Sequence, residues 1–137
     1  MLFVCIGNAG RSVMAEAIFN HRGPTGWRAV SAGVSPARAT NPNTGPMLAE
    51  IGVPAPSHSP QGLTKAMVHD ATVCVSIGAT DHLSCPEWFA RAHPVEWTIP
   101  DTHYADAEGF RAIREEIVSK VDALIEELGR RFPRDRT

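Results

Sequence analysis

Hydrophobic positions along the chain fall into short continuous runs that alternate with helical periodicities. Leu2-Phe3-Val4 is an apolar run ending at Cys5, followed by the polar turn Gly7-Asn8-Ala9-Gly10 and then Ser12 to Phe19. This predicts a buried strand, a tight loop and a helix. Trp27 to Ala32 reads as a second strand stopped by Gly33. Asn41-Pro42 opens a helix that carries Met47, Leu48 and Ile51 on one face and ends at Gly52, a common C-terminal stop. Leu63 to Val68 predicts a short helix, Ala71 to Ile77 a third strand, and Val95 to Ile99 a fourth ended by Pro100. Last, Phe110, Ile113, Ile117, Val121, Leu124 and Leu128 recur at steps of three and four, predicting a long amphipathic helix closed by Gly129.

Strands alternating with helices at this spacing imply βαβ units, hence a four-stranded parallel sheet covered on both faces in a three-layer α/β domain. The 137 residues suit a single domain spanning 1–137. A net charge of −2, with no basic run, argues against a nucleic-acid-binding surface. No apolar stretch reaches the roughly 18–20 residues of a membrane helix, and the first strand begins too early to leave room for a signal peptide. Three cysteines make a poor disulfide framework and point to a reducing cytoplasm. The six histidines show no pair at metal-ligand spacing, and His82-x-x-Cys85 alone is a weak zinc signal, so no metal site is expected. Arg130-Arg131-Phe132-Pro133-Arg134-Asp135-Arg136 reads as a solvated basic tail.

In open parallel sheets ligands bind beyond the carboxyl ends of the strands, where strand order reverses. The segment at that place, Cys5-Ile6-Gly7-Asn8-Ala9-Gly10-Arg11-Ser12, has a cysteine, five residues, an arginine and a serine. Its two glycines permit a tight loop whose main-chain N–H groups converge. The amino end of the following helix adds positive potential, so Ile6 to Gly10 form a cradle for a tetrahedral oxyanion. Arg11 supplies a planar fork matched to two of its oxygens. The same field favours a thiolate on Cys5, and Ser12 is placed to bond that sulfur. Spacing and the missing lysine exclude the ATP-binding loop Gly-x-x-x-x-Gly-Lys-Ser/Thr, and the Gly-x-Gly-x-x-Gly fingerprint is absent from this turn. A buried free cysteine beside an ordinary turn is the alternative to a nucleophile.

Residues 2–17, Leu-Phe-Val-Cys-Ile-Gly-Asn-Ala-Gly-Arg-Ser-Val-Met-Ala-Glu-Ala, resemble the opening of the low-molecular-weight protein tyrosine phosphatase superfamily, which includes the thioredoxin-coupled arsenate reductases. Ser31-Ala32-Gly33, Asn41-Pro42, Gly52-Val53 and Ser57-His58-Ser59 extend the resemblance over most of the chain. It implies a flavodoxin-like sheet, Cys5 as nucleophile and Arg11 as oxyanion clamp, with Asn8, Ser12 and Ser31 holding the loop's shape. Gly10 departs from both branches, which commonly carry a second cysteine there, so no disulfide can form inside the loop.

The second half of the chain bears on which branch applies. A phosphatase needs a general acid and a water, whereas a reductase needs a second thiol to attack the Cys5 sulfur. Asp101, directly after the fourth strand, is the acid candidate, although Thr102 follows where the resemblance leads one to expect proline. A turn-forming aspartate is the alternative for Asp101. Only Tyr104 is available near it as an aromatic wall, and the stretch from Trp97 to Ile117 resembles the reductases more closely. Cys85-Pro86 stands where the reductases carry the thiol that meets thioredoxin, so Cys85 is a candidate resolving thiol. Cys74, flanked by Val73 and Val75, is a weaker relay candidate and an ordinary core residue otherwise. The reductases' middle thiol falls near Ser76 to Gly78, where this chain has none. The expectation is therefore an arsenate reductase without bound cofactor, a cytoplasmic monomer that uses Cys85 or an external reductant. That reductant is thioredoxin or a low-molecular-weight thiol. A phosphatase acting on aryl phosphates is the second reading.

Overall fold

A computed structural model of the chain describes residues 1–133. Four parallel strands, β1 (Leu2–Cys5), β2 (Val30–Gly33), β3 (Cys74–Ile77) and β4 (Val95–Trp97), form one sheet in the order β2-β1-β3-β4. Order reverses between β1 and β3, so the crevice at their carboxyl ends is the ligand position the fold provides. Every side chain of β1 is buried, as a central strand covered on both faces requires.

The period-two alternation of β1 divides its side chains between two cores. Phe3 and Cys5 face helices α1 (Arg11–Arg22), α2 (Thr44–Ala49) and α5 (Ala107–Arg131), where Met14, Ile18, Phe19, Phe110, Ile117 and Val121 fill the larger core. Leu2 and Val4 face the smaller layer of α3 (Lys65–Asp70) and α4 (Glu87–Ala90), packing with Ala32, Ala79 and Phe89. Phe3 meets Phe19 edge-on at 6.0 Å and Trp97 at 5.6 Å between ring centroids, tying the first helix and the last strand to β1.

Element boundaries shift from the sequence expectation for local reasons. β2 starts at Val30, where pairing with Leu2 begins; before it, Ala29 exchanges two hydrogen bonds with the Asn20 side chain. α5 runs past Gly129 to Arg131, because a glycine inside a helix weakens it without ending it and the Glu126–Arg130 pair at 3.2 Å spans the site. Phe132 then packs edge-on against Trp27 at 5.4 Å. Of the basic tail, residues 134–136 lie outside the described residues. The four-residue helix α4 was not expected; its length is below what periodicity can register.

Candidate active site

Cys5 closes β1, and the loop that follows turns through Asn8, whose φ of 51° is one that asparagine tolerates better than most residues. Donors outside the loop bond its carbonyls: Val34 N–H to Cys5 O at 3.1 Å, Ser35 N–H to Ile6 O at 2.8 Å, Ala37 N–H to Gly7 O at 2.9 Å and Asn41 N–H to Ala9 O at 3.1 Å. Thr44 Oγ1 adds a second donor to Ala9 O at 2.8 Å. With the carbonyls drawn outward, the N–H groups face the loop's centre. Among the described residues no acceptor takes those of Gly7, Ala9 or Gly10. They are available to an anion.

A chain of hydrogen-bonded side chains surrounds Cys5. Asn8 Nδ2 donates to Ser12 Oγ at 2.8 Å and to Ser31 Oγ at 2.9 Å. Ser12 Oγ and Cys5 Sγ share a hydrogen bond at 2.9 Å that either can donate, and Asn8 N–H donates to the same sulfur at 3.3 Å. To a sulfur that accepts both bonds, Ser12 and Asn8 supply two donors. Ser31 Oγ passes its own proton to Glu16 Oε1 at 2.6 Å, and Glu16 receives His58 Nε2–H at 2.8 Å. His58 Nδ1 donates to Ser59 O at 2.9 Å, so both ring nitrogens serve acceptors and the ring is an imidazolium. Burial alone would push its pKa down; the Ser59 carbonyl and the Glu16 carboxylate outweigh that and raise it above 6.5. Gln61 closes the frame, its N–H on Asn8 Oδ1 at 3.0 Å and its Nε2 on Ser31 O at 2.8 Å.

Arg11, only 5% exposed, donates through Nη1 to Ile99 O at 2.9 Å and places Nη2 3.6 Å from Asp101 Oδ2. Gly78, with φ +71°, lies beneath the guanidinium, and a Cβ there would come within 2.9 Å of Nη1. Asp101 is half-exposed, and His103 N–H donates to its Oδ1 at 3.1 Å. Cys5, Gly7, Gly10, Arg11, Asp101 and Thr102 line a single open cleft of about 680 Å³, completed by small side chains such as Ala37, Ala39 and Thr40. Tyr104 is 94% exposed and does not line it; its ring packs edge-on against His103 at 4.4 Å.

The other two thiols are not brought to this cleft. Cys74 starts β3 in register with Leu2, at the opposite end of the sheet from Cys5, and it faces the smaller core. Cys85 is half-buried against that same core and its Sγ points to Pro86 O at 3.6 Å. Burial pushes the pKa of both thiols up, and Glu96 adds to the effect at Cys85, so both are protonated and weakly nucleophilic at neutral pH. Sequence reading missed Glu16, His58 and Gln61 as supports and Gly78 as the floor under Arg11. His58 and Glu16 are 42 positions apart, and only their quoted motifs hinted at them.

A sulfur so arranged is equipped for nucleophilic attack on a tetrahedral oxyanion, and fold and site together define the class: α/β enzymes that work on such anions at a strand–loop–helix junction. The sequence profile described as low molecular weight phosphotyrosine protein phosphatase spans residues 1–134. The chain belongs to that family. An arsenate reductase of Brevibacillus brevis is 26% identical over 124 residues, covering 90% of this chain and 92% of that one. Among solved structures, an arginine phosphatase of Geobacillus stearothermophilus superposes with a TM-score of 0.82 at 26% identity, covering 98% and 97% of the two chains. An arsenate reductase of Archaeoglobus fulgidus gives 0.73 at 29% identity, covering 91% and 98%.

Proposed function

We propose that this enzyme reduces arsenate to arsenite through Cys5, with an external thiol as the electron donor. The observation that carries the reading is a cleft holding one thiol at its floor, walled by small side chains and, among the described residues, by no Phe, Tyr or Trp. An inorganic oxyanion fits such walls, whereas an aryl group gains little from them. The similarity to two arsenate reductases supports the choice of arsenic.

The Cys5 thiolate attacks the arsenic of the bound dihydrogen anion. An S–As bond forms, an As–O bond breaks, and the hydroxyl leaves as water with a proton from Asp101. The loop amides and Arg11 hold the charge of the adduct. A thiol from solution then attacks Cys5 Sγ, forming an S–S bond. The S–As pair stays on arsenic, which falls from As(V) to As(III) and departs as arsenous acid with the thiol's proton and one from solvent. A second thiol reduces the mixed disulfide and regenerates Cys5. An external donor is favoured over Cys85 because Cys85 lies against the other core, and a cysteine at position 78 would press on Arg11 Nη1.

Hydrolysis of phosphorylated side chains is the second reading, favoured by Asp101 beside Arg11 and by the similarity to the arginine phosphatase. There Cys5 takes the phosphoryl group, Asp101 protonates the leaving atom, and water clears the phosphocysteine. Steady-state assay of arsenite formation with arsenate plus thioredoxin or dithiothreitol separates the two. Turnover that survives Cys74→Ser/Cys85→Ser and vanishes in Cys5→Ser is expected. No arsenite with either donor, together with hydrolysis of phosphoarginine or aryl phosphates, would overturn the reduction.

A further inference from the structure

Asp101 sits on a loop with no helix or strand of its own, yet its carboxylate stays beside Arg11. Something must hold the loop there, and the close approach of two residues identifies it. Gly10 has φ −138° and ψ −82°. Its neighbour Thr102 calls for a residue without a side chain there. A Cβ at position 10 would run into Thr102 Oγ1 and lie 3.3 Å from Thr102 Cβ and 3.5 Å from Cγ2. Thr102 is 4% exposed, and its side chain fills the volume that a side chain at position 10 would need. One residue is the last of the anion loop before α1, and the other follows the acid candidate directly.

We infer that Gly10 and Thr102 form a size-matched clasp that fixes the Asp101 loop onto the anion loop, making Thr102 a positioning residue for the acid. This rests on Asp101 serving as the acid in the reaction proposed above. Inside the loop, Ala105 N–H donates to Thr102 O at 3.1 Å and His103 N–H to Asp101 Oδ1 at 3.1 Å, so a shift of Thr102 moves the carboxylate with it. Pro100 precedes Asp101, and Ile99 O is already held by Arg11, so the strand side of the loop is pinned and the displacement falls on residues 101–105.

The test compares wild type, Gly10→Ala, Thr102→Ala and the double variant. Gly10→Ala is expected to lose about 10-fold or more in arsenate turnover with dithiothreitol, part of the roughly 10²–10⁴-fold that a well-placed general acid contributes. Thr102→Ala in the Gly10→Ala background removes the obstructing hydroxyl and should restore most of the rate. Hydrogen exchange at the amides of His103 and Ala105 gives a readout independent of substrate: faster in Gly10→Ala, slowed again in the double variant. Unchanged exchange in Gly10→Ala, or faster exchange that the double variant does not slow, would overturn the clasp. If wild type turns over no arsenate, the reduction fails, while the exchange rates still decide the clasp.

Discussion

Two glycines with nearly the same positive φ make a controlled pair. Gly52 has φ +72° with no atom within 4 Å of a prospective Cβ, whereas Gly78 has φ +71° with Arg11 Nη1 at 2.9 Å. Alanine at either position incurs the left-handed penalty of about 1–2 kcal/mol. Both variants should therefore melt about 3–8 °C below wild type. Only Gly78→Ala also displaces the guanidinium, since ordinary contacts lie at about 3.5–4.0 Å. Arg11 then loses its place on Ile99 O and its aim into the cleft. A hydrogen bond to a charged group is worth about 1.5–3 kcal/mol, so phosphate or arsenate affinity should fall roughly 10- to 100-fold. Isothermal titration with inorganic phosphate, paired with urea unfolding of both variants, measures the two effects separately. Wild-type affinity in Gly78→Ala, or an equal loss in Gly52→Ala, would refute the role given to Arg11.

Three further outcomes follow from the hydrogen-bond network and ion pairs. Ser12→Ala removes the hydroxyl on Cys5 Sγ and should slow alkylation of Cys5 by iodoacetamide about 10- to 100-fold with the fold retained, as loss of a charge-assisted bond implies; an unchanged rate would count against it. His58 has a raised pKa, so its contribution is full below 6.5 and disappears as pH climbs through the higher folded value. The gap in unfolding free energy between wild type and His58→Gln, from urea titrations and about 1 kcal/mol at most, should be widest near pH 6 and narrow toward pH 9; a gap that widens with pH contradicts the imidazolium. Glu50, bonded first by Arg111 and then by Arg114, is held at about 2 instead of 4.5. Its contribution to joining α2 and α5 is present above 4.5 and is lost as pH falls toward 2. Thermal scans should therefore show Glu50→Gln less stable than wild type at pH 6 and equal to it near pH 2.

Local signals carried most of the architecture and the heart of the site. The β1 run, the Cys5-to-Ser12 loop and the periodicity from Phe110 to Leu128 each record their structure within a few neighbouring residues, because pleat, turn and helix face are short-range properties. The parallel sheet and its layers followed from alternation of strands with helices, whereas the flavodoxin-like arrangement came only from the family resemblance. What stayed hidden depends on contacts between distant residues. Nothing near Glu16 announces His58, and nothing at Gly78 announces Arg11 above it. Cys85 was a candidate because Cys85-Pro86 stands where the reductases carry a thiol, but it packs against the smaller core while Cys5 belongs to the larger one. Strand ends shifted for a similar reason: pairing partners, not propensity, begin β2 at Val30 and end β4 at Trp97.

The central claim is that Cys5 alone handles the oxyanion and that its partner sulfur comes from outside the chain. Intact-mass and peptide mass spectrometry after a single arsenate turnover, with one equivalent of glutathione and acid quench, reads this directly. A glutathione adduct on the peptide containing Cys5, with Cys74 and Cys85 free, is the expected result. A disulfide between Cys5 and Cys85, or an unmodified Cys5 alongside released arsenite, would contradict it.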